Sequence, residues 1–468
     1  MPSNRLHHPL PPRLPHRLRR PRHVWMSPRN WRRRLLFWSG AGVVGLVAVL
    51  FARAADYAQQ LFRLAEAASP WLPFLLTPLG LAISAWVALR VVPGSQGSGI
   101  PQAIAARHVQ DPAAKRRLLS PRIAIGKILL TLVGLACGAS IGREGPTVQV
   151  GASIMLMAGS LAGLGREPGL ILAGGAAGVA AAFNTPLAGI VFAIEEMARS
   201  FEKRTSGLVL VAVVAAGLVA VALLGNYAYF GHTAASASWQ DWKAVLATGL
   251  IGGLAGGGFS SLLLWLSRWI RCGLGGRIGR HPVFVALGCG LALAVIGTVT
   301  GGLTFGTVTG GLTFGTGYEQ ARAVLDGVET LPWYYAPAKL LATALSGICG
   351  IPGGIFSPSL SVGAGIGSIV GGLLPGTSLE AVVLLSMVSY FAGVVQAPLT
   401  AVVIVTEMSA SPDMLLPLML SAALATTLSR LVCPHSVYHA MADAFLAVLR
   451  TDEAGKPAPP KAAAIPSP

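Results

Sequence analysis

Charged residues are scarce in this chain, at 11% of 468 residues against 53% hydrophobic ones. A soluble domain carries about a quarter of its residues as charges, so the balance excludes a water-soluble globule and indicates a polytopic membrane protein. Cysteine is also thin. Cys137, Cys272, Cys289, Cys349 and Cys433 are odd in number and form no CxxC, which excludes a disulfide framework or a zinc site and leaves small buried apolar groups. No GxxxxGK[ST] segment is present, which argues against a self-contained ATP-driven pump. Histidines are few inside the apolar windows. Ser98, flanked by glycines, has the look of a nucleophile, but His108 would stand about 15 Å away along a helix, too far to take its proton. An intramembrane hydrolase is therefore set aside, and no cofactor and no metal site is expected.

What the chain does have is apolar sequence cut by glycine and proline. Windows recur at 36–52, 70–91, 122–141, 147–164, 168–200, 205–229, 244–266, 282–300, 336–348, 359–374, 379–408 and 413–432. Several are shorter than the ~20 residues that cross a bilayer, which predicts helices that stop or break where protein buries the freed backbone. The formal charge of +17 is concentrated: ten arginines precede residue 35, ending in Trp31-Arg32-Arg33-Arg34. A Pro-, Arg- and His-rich segment before the first window reads as a disordered cytoplasmic anchor and not as a nucleic-acid surface. It is too long for a signal peptide and no cleavage site follows it.

The chain repeats itself. Gly142 to Pro146 is followed by Pro186, and Gly354 to Pro358 by Pro398; 358 − 146 and 398 − 186 both equal 212. The same offset pairs Lys127 with Lys339, Thr131 with Thr343, Cys137 with Cys349, Gly138 with Gly350, Gly151 with Gly363, Leu187 with Leu399 and Glu195 with Glu407. Arg107 to Arg122 holds Lys115, Arg116 and Arg117, whereas 319–334 has only Arg322 against Glu319, Asp326 and Glu329. Equivalent loops thus prefer opposite sides, the mark of an inverted-topology repeat with its substrate site between the halves. Arg199, Lys203, Arg204, Arg268, Arg271, Arg277 and Arg280 read as cytoplasmic; Asn226 to Trp242, without Lys or Arg, reads as external. The expected organisation is an all-α membrane protein with a tail at 1–35, a first repeat at 36–225, an external linker at 226–242, a second, inverted repeat at 243–450 and a tail at 451–468. That last segment is too short for appended nucleotide-binding domains.

Two further patterns read as structural. Residues 297–305 and 306–314 are both GTVTGGLTF, a tandem copy expected to be a loop extension without function. Gly249, Gly253 and Gly257 give one helix a flat packing face, used within the chain or at a dimer contact.

Glu144 is the group that most needs explaining, because a carboxylate between apolar windows costs several kcal/mol. It lies in Gly142-Arg143-Glu144-Gly145-Pro146, which shares a grammar with Gly97-Ser98-Gly99-Ile100-Pro101 and Gly354-Ile355-Phe356-Ser357-Pro358: glycine, then proline in a first helical turn. Such starts leave backbone N–H groups free at the positive end of a helix. Three of them meeting inside a membrane would hold a dehydrated anion through partial charges and hydroxyls, weakly enough for turnover.

In order and within a repeat, GSGIP, GREGP and GIFSP resemble the three selectivity-filter motifs of the CLC family of chloride channels and proton-coupled chloride transporters, and the resemblance runs from about 36 to 450. It implies a central chloride held by Ser98 Oγ, Tyr438 OH and the N–H groups of Ile355 and Phe356. The wording around Tyr438, His435-Ser436-Val437-Tyr438, departs from the usual pattern. It implies an outer anion site at the amides of Arg143 to Gly145 and of Phe356 to Ser357. Glu144 would compete with chloride when ionised and release it when protonated, acting as gate and outer proton carrier. Glu196 matches the family's inner proton glutamate, which favours H+/Cl− exchange over the alternative, a passive voltage- or pH-gated chloride channel. Glu195 and Glu407, a repeat pair, read as helix-end structural carboxylates. Lys127 and Lys339 read as half-buried cations that raise the potential near the pore. The resemblance further implies a homodimer with one pore per subunit in a bacterial inner membrane, with a cytoplasmic N-terminus. Neither the proline that replaces Ser98 in nitrate-selective members nor the altered motifs of the fluoride exporters occur here.

Overall fold

The computed structural model describes residues 28–163, 168–199, 203–225, 227–231, 235, 242–272, 278–300 and 311–453. Among them all regular structure is helical, and eight helices are long and apolar enough to cross a membrane. The first half runs α1 (Pro28–Ala68), α2 (Pro73–Arg90), α3 (Ile100–His108), α4 (Pro112–Leu118), α5 (Pro121–Ala136), α6 (Glu144–Leu161), α7 (Pro168–Phe183), α8 (Pro186–Phe192) with a π-turn (Ala193–Ala198), and α9 (Lys203–Leu224). The second runs α10 (Trp242–Cys272), α11 (Pro282–Thr300), α12 (Tyr318–Leu325), α13 (Tyr335–Ile348), α14 (Phe356–Leu373), α15 (Leu379–Val395), α16 (Pro398–Ser409), α17 (Leu415–Val432) and α18 (Val437–Glu453). Proline opens many of them, at the position where its missing N–H costs no intrahelical bond.

The 212-residue register reappears in three dimensions. Helices α6 and α14 begin and end 212 residues apart, at Glu144 and Phe356 and at Leu161 and Leu373. Windows 168–200 and 379–408 each divide where Asn184 (φ 56) and its mate Gln396 (φ 60) turn left-handed, ending α7 and α15. The halves pack alike: α6 on α7 as α14 on α15, and α1 on α9 as α10 on α17. Gly249, Gly253 and Gly257 approach Leu424, Ala425 and Ser429 of α17, so that glycine face is used within the chain.

The register breaks in two informative places. After α8 the left-handed residue that stops the helix is Arg199 (φ 49), and after α16 it is Ala410 (φ 49). Four steps separate Arg199 from Glu195 but only three separate Ala410 from Glu407, so the first half contains one extra residue, absorbed by the π-turn. Met197, not Glu196, is therefore opposite Met408, and Glu196 is the insertion. The second break precedes α12: Gly315-Thr316-Gly317-Tyr318 repeats Gly97-Ser98-Gly99-Ile100 at an offset of 218, with positive φ at Gly97 and Gly99 and at Gly315 and Gly317.

Several expectations need correction. The first window is the apolar part of a 41-residue helix, about 60 Å long. Trp31-Arg32-Arg33-Arg34 lies in its first turns, so any tail ends before Pro28; residues 1–27 lie outside the described residues. At the other end α18 reaches Glu453, beyond the expected boundary at 450, and 454–468 lie outside the described residues. Cys272 is exposed and Cys137 half-buried, since both sit at helix ends, while Cys289, Cys349 and Cys433 are buried. The tandem copy is not inert: 301–310 lie outside the described residues, but Gly311 to Phe314 pack against α1 and supply carbonyls to Lys339.

Candidate anion pathway and proton-carrying carboxylates

The three glycine-proline segments converge through their backbones. Gly142 and Gly354 exchange two hydrogen bonds, Gly142 N to Gly354 O at 2.6 Å and Gly354 N to Gly142 O at 2.8 Å. Gly97 N donates to Ile351 O at 3.0 Å, and Gly353 N donates to Gly97 O at 3.1 Å. These two bridges bring the starts of α3, α6 and α14 to one place deep in the protein. The approach is close enough to require glycine. A β-carbon at Gly99 would lie 2.6 Å from Gly145 O, and one at Gly145 would collide with Ser98 Oγ. Gln102 then reaches back to accept from Gly99 N at 3.0 Å, fixing the first turn of α3.

Proline at the third position of α6 and of α14 leaves two N–H groups ahead of it in each helix, Glu144 and Gly145 in one, Phe356 and Ser357 in the other. The Glu144 side chain curls into this donor set. Its Oε1 accepts from Ser357 Oγ at 2.5 Å, the amides of Glu144 and Ser357 also face the carboxylate, and Oε2 has no hydrogen-bond partner among the described residues. Glu144 is 1% exposed, so an anion here depends on helix-end amides instead of water. Arg143 does not neutralise it by contact. Its guanidinium turns away to Asp56 Oδ1 and Ala52 O, both at 2.6 Å. Phe356 fills the equivalent place in the second half, packed between the tilted rings of Phe183 and Phe391 with centroids 5.2 and 4.2 Å away.

Further in, Ser98 Oγ and Tyr438 OH face one another. Both are buried, and neither has a hydrogen-bond partner elsewhere among the described residues. Ile355 and Phe356, the other expected ligands, lie at the adjoining start of α14 and are also buried. Two hydroxyls with uncommitted protons beside a helix end are chemically suited to an anion. The candidate residues Ser98, Glu144, Ser357 and Tyr438 are thus brought together.

Glu196 is not among them. It sits in the π-turn, 2% exposed, where Oε1 accepts from Ser436 Oγ at 3.3 Å and lies 3.3 Å from His439 Nδ1. Ser436 precedes α18, so this carboxylate also faces a helix start, the one that carries Tyr438. A cavity of about 810 Å³ opens beside it, lined by Arg199, Arg430, His435, Ser436 and Asp443 among others. On the opposite face a cavity of about 490 Å³ leads to Arg143, lined by Asp56, Gln59, Tyr227, Tyr229, Thr316 and Tyr318 among others.

Two carboxylate and two ammonium groups have purely structural partners. Glu195 accepts from Leu399 N and Thr400 N at 3.1 and 2.6 Å; Glu407 accepts from Leu187 N and Ala188 N at 3.2 and 2.7 Å. Each caps the helix of the other half. Lys127 and Lys339 are fully buried, contrary to the half-buried expectation, because three backbone carbonyls satisfy each ammonium. Lys127 holds Ser95, Gln96 and Gly97; Lys339 holds Thr313, Phe314 and Gly315. They fasten the loops ahead of α3 and α12. His108 bonds Ile104 O at 3.0 Å and serves no nucleophile.

Some neighbours of the site escaped the sequence reading. Asp56, Gln59 and Glu66 lie on the polar end of α1, beyond the window that ends at 52; Gln59 accepts from Thr316 N at 2.9 Å and Glu66 from Gly311 N at 2.6 Å. Their i, i+3, i+10 spacing within a helix was the available signal. Tyr229 and Phe230, within the linker, are buried against Tyr318 and Phe183, and the Tyr-x-Tyr-Phe cluster in a loop without lysine or arginine was theirs.

Comparison with known proteins identifies the family. The family model described as voltage gated chloride channel matches residues 79–430. The H(+)/Cl(−) exchange transporter ClcA of Klebsiella pneumoniae is 28% identical over 453 residues, covering 88% of this chain and 89% of the relative. The protein of the same name from Yersinia pestis is 30% identical over 430 residues, covering 85% and 84%. Among solved structures, a slow cyanobacterial Cl−/H+ antiporter superposes with a TM-score of 0.76 at 23% identity, over 89% of this chain and 98% of that one. A CLC-type fluoride/proton antiporter gives 0.73 at 22% identity, over 86% and 96%. The chain is a multi-pass membrane protein and belongs to the voltage-gated chloride channel (CLC) family.

Proposed function

We propose that this protein exchanges chloride for protons across a bacterial inner membrane, with Glu144 as gate and outer proton carrier and Glu196 as inner proton acceptor. The observation that carries this reading is the position of the Glu144 carboxylate: an anion on a tether, seated on the same amides and the Ser357 hydroxyl that a chloride would use. Ionised, it occupies the outer site and blocks the path. Protonated, it loses its attraction to the helix ends and yields to chloride. Chloride passing inward would next meet Ser98 and Tyr438 with the amides of Ile355 and Phe356, while the amides of Arg143 to Gly145 and of Phe356 to Ser357 form the outer site.

Glu196 lies on the side of Arg199 and Arg430, the side that the positive-inside bias places in the cytoplasm. The N-terminus, the inner-membrane location and a homodimer with one pore per subunit follow from that bias and from the family. Binding and competition at one site are all the cycle needs, which fits a transporter and requires no cofactor. The test is simultaneous recording of chloride efflux and proton uptake in proteoliposomes. Protons moving against their gradient, driven by chloride, support exchange; chloride flux without protons leaves a passive channel.

A further inference from the structure

The Glu196 carboxylate, only 2% exposed, lines the 810 Å³ cavity, and an imidazole stands beside it on the same wall. His439, one residue after Tyr438 in the first turn of α18, puts Nδ1 3.3 Å from Glu196 Oε1, a small ring rotation short of hydrogen-bond alignment, while its side chain is 20% exposed. We propose that His439 is the relay that loads and unloads Glu196 with protons from this cavity. The proposal rests on the reading of Glu196 as inner proton acceptor.

The chemistry follows from the two ring nitrogens. A proton from cavity water adds to Nε2, the imidazolium gives its Nδ1 proton to Oε1, and the neutral ring is left in the opposite tautomer. A ring flip, or tautomer exchange with cavity water, resets the ring for the next proton, while the reverse sequence unloads Glu196; no other reactant is needed. Ser436 Oγ supports the same Oε1. The other charged or titratable groups that line this cavity are Glu195 of the π-turn, Arg199 just after it, Arg430 of α17, His435 ahead of α18 and Asp443 within it; Tyr438 is the chain neighbour of His439. Arg107 of α3 donates to Met197 O behind the π-turn and so holds that turn in place. Glu195 is committed to the start of α16, and Asp443 is exposed one turn further along α18.

The test compares His439→Gln, His439→Ala and Glu196→Gln in proteoliposomes, recording proton and chloride movement together, with imidazole as the added probe. Proton flux in His439→Gln falls by about a hundredfold or more, the lower end of the effect of removing a positioned acid–base group. In His439→Ala, imidazole at millimolar concentration restores it, which a packing role would not allow, and persisting chloride flux certifies the fold. His435→Gln, on the same cavity wall, keeps its proton flux. If Glu196→Gln stops protons while His439→Gln stays within twofold of wild type, or if imidazole restores nothing, the relay is wrong and the Glu196 reading survives. If Glu196→Gln itself carries protons normally, the underlying reading is the one that fails.

Discussion

The starts of α6 and α14 share a backbone and differ in what they carry. Each offers two N–H groups ahead of a proline, and the two are bonded to each other through Gly142 and Gly354. One presents a carboxylate, Glu144; the other presents Phe356, packed between two rings. The same contrast recurs where α8 and α16 end. Glu195 and Glu407 perform one structural task in mirror fashion, and only the first half has an inserted residue, Glu196. Duplication accounts for the scaffold. Departures from it account for the titratable groups, and both lie in the first half.

The largest expected effect breaks that asymmetry. Glu144→Ala removes the tethered anion, so proton movement falls to background in proteoliposomes while chloride still flows. Lys127→Met and Lys339→Met test the symmetric scaffold: each leaves three buried carbonyls unpaired and should lower stability by about 3 kcal/mol or more, read as earlier thermal unfolding in detergent. A loss of chloride affinity in Lys127→Met without loss of stability would restore a field effect as its main role. Glu195→Gln and Glu407→Gln should each cost about 1.5–3 kcal/mol by weakening charge-assisted caps, and by similar amounts. Markedly unequal costs, in the same unfolding assay, would show that the mirror relation ends at geometry. Smallest is Tyr438→Phe, whose lost hydroxyl should weaken chloride binding by about 1 kcal/mol, roughly fivefold by calorimetry.

The repeat was legible in the sequence because α5 to α8 and α13 to α16 keep a gap-free offset from Lys127 to Glu195, so Lys, Pro and Glu pair as visibly as Gly. It stopped being legible where single residues enter or leave. The π-turn shifts the register by one after Glu195, so that a bare offset of 212 sets Glu196 against Met408 although the backbone puts Met197 there. The six-residue shift before Lys339 hid Gly315-Thr316-Gly317 as the counterpart of Gly97-Ser98-Gly99. Hydropathy failed for α1 for another reason: Asp56, Gln59 and Glu66 are polar because they face Arg143, Thr316 and Gly311 across a cavity, and only tertiary structure supplies those partners. Glu144 stood out because a lone carboxylate in an apolar context has few bland explanations. His439 did not, since nothing in the sequence sets an imidazole beside a glutamate 243 residues earlier.

The central claim is that chloride and the Glu144 carboxylate compete for one set of helix-end donors. It is tested most directly by adding chloride to the purified, detergent-solubilised protein in weakly buffered solution and following proton uptake. Chloride that displaces the carboxylate leaves it to take up a proton, so wild type should bind protons as chloride saturates, and Glu144→Gln should bind chloride without them. Equal proton uptake in the two proteins, or none in either, would contradict the account.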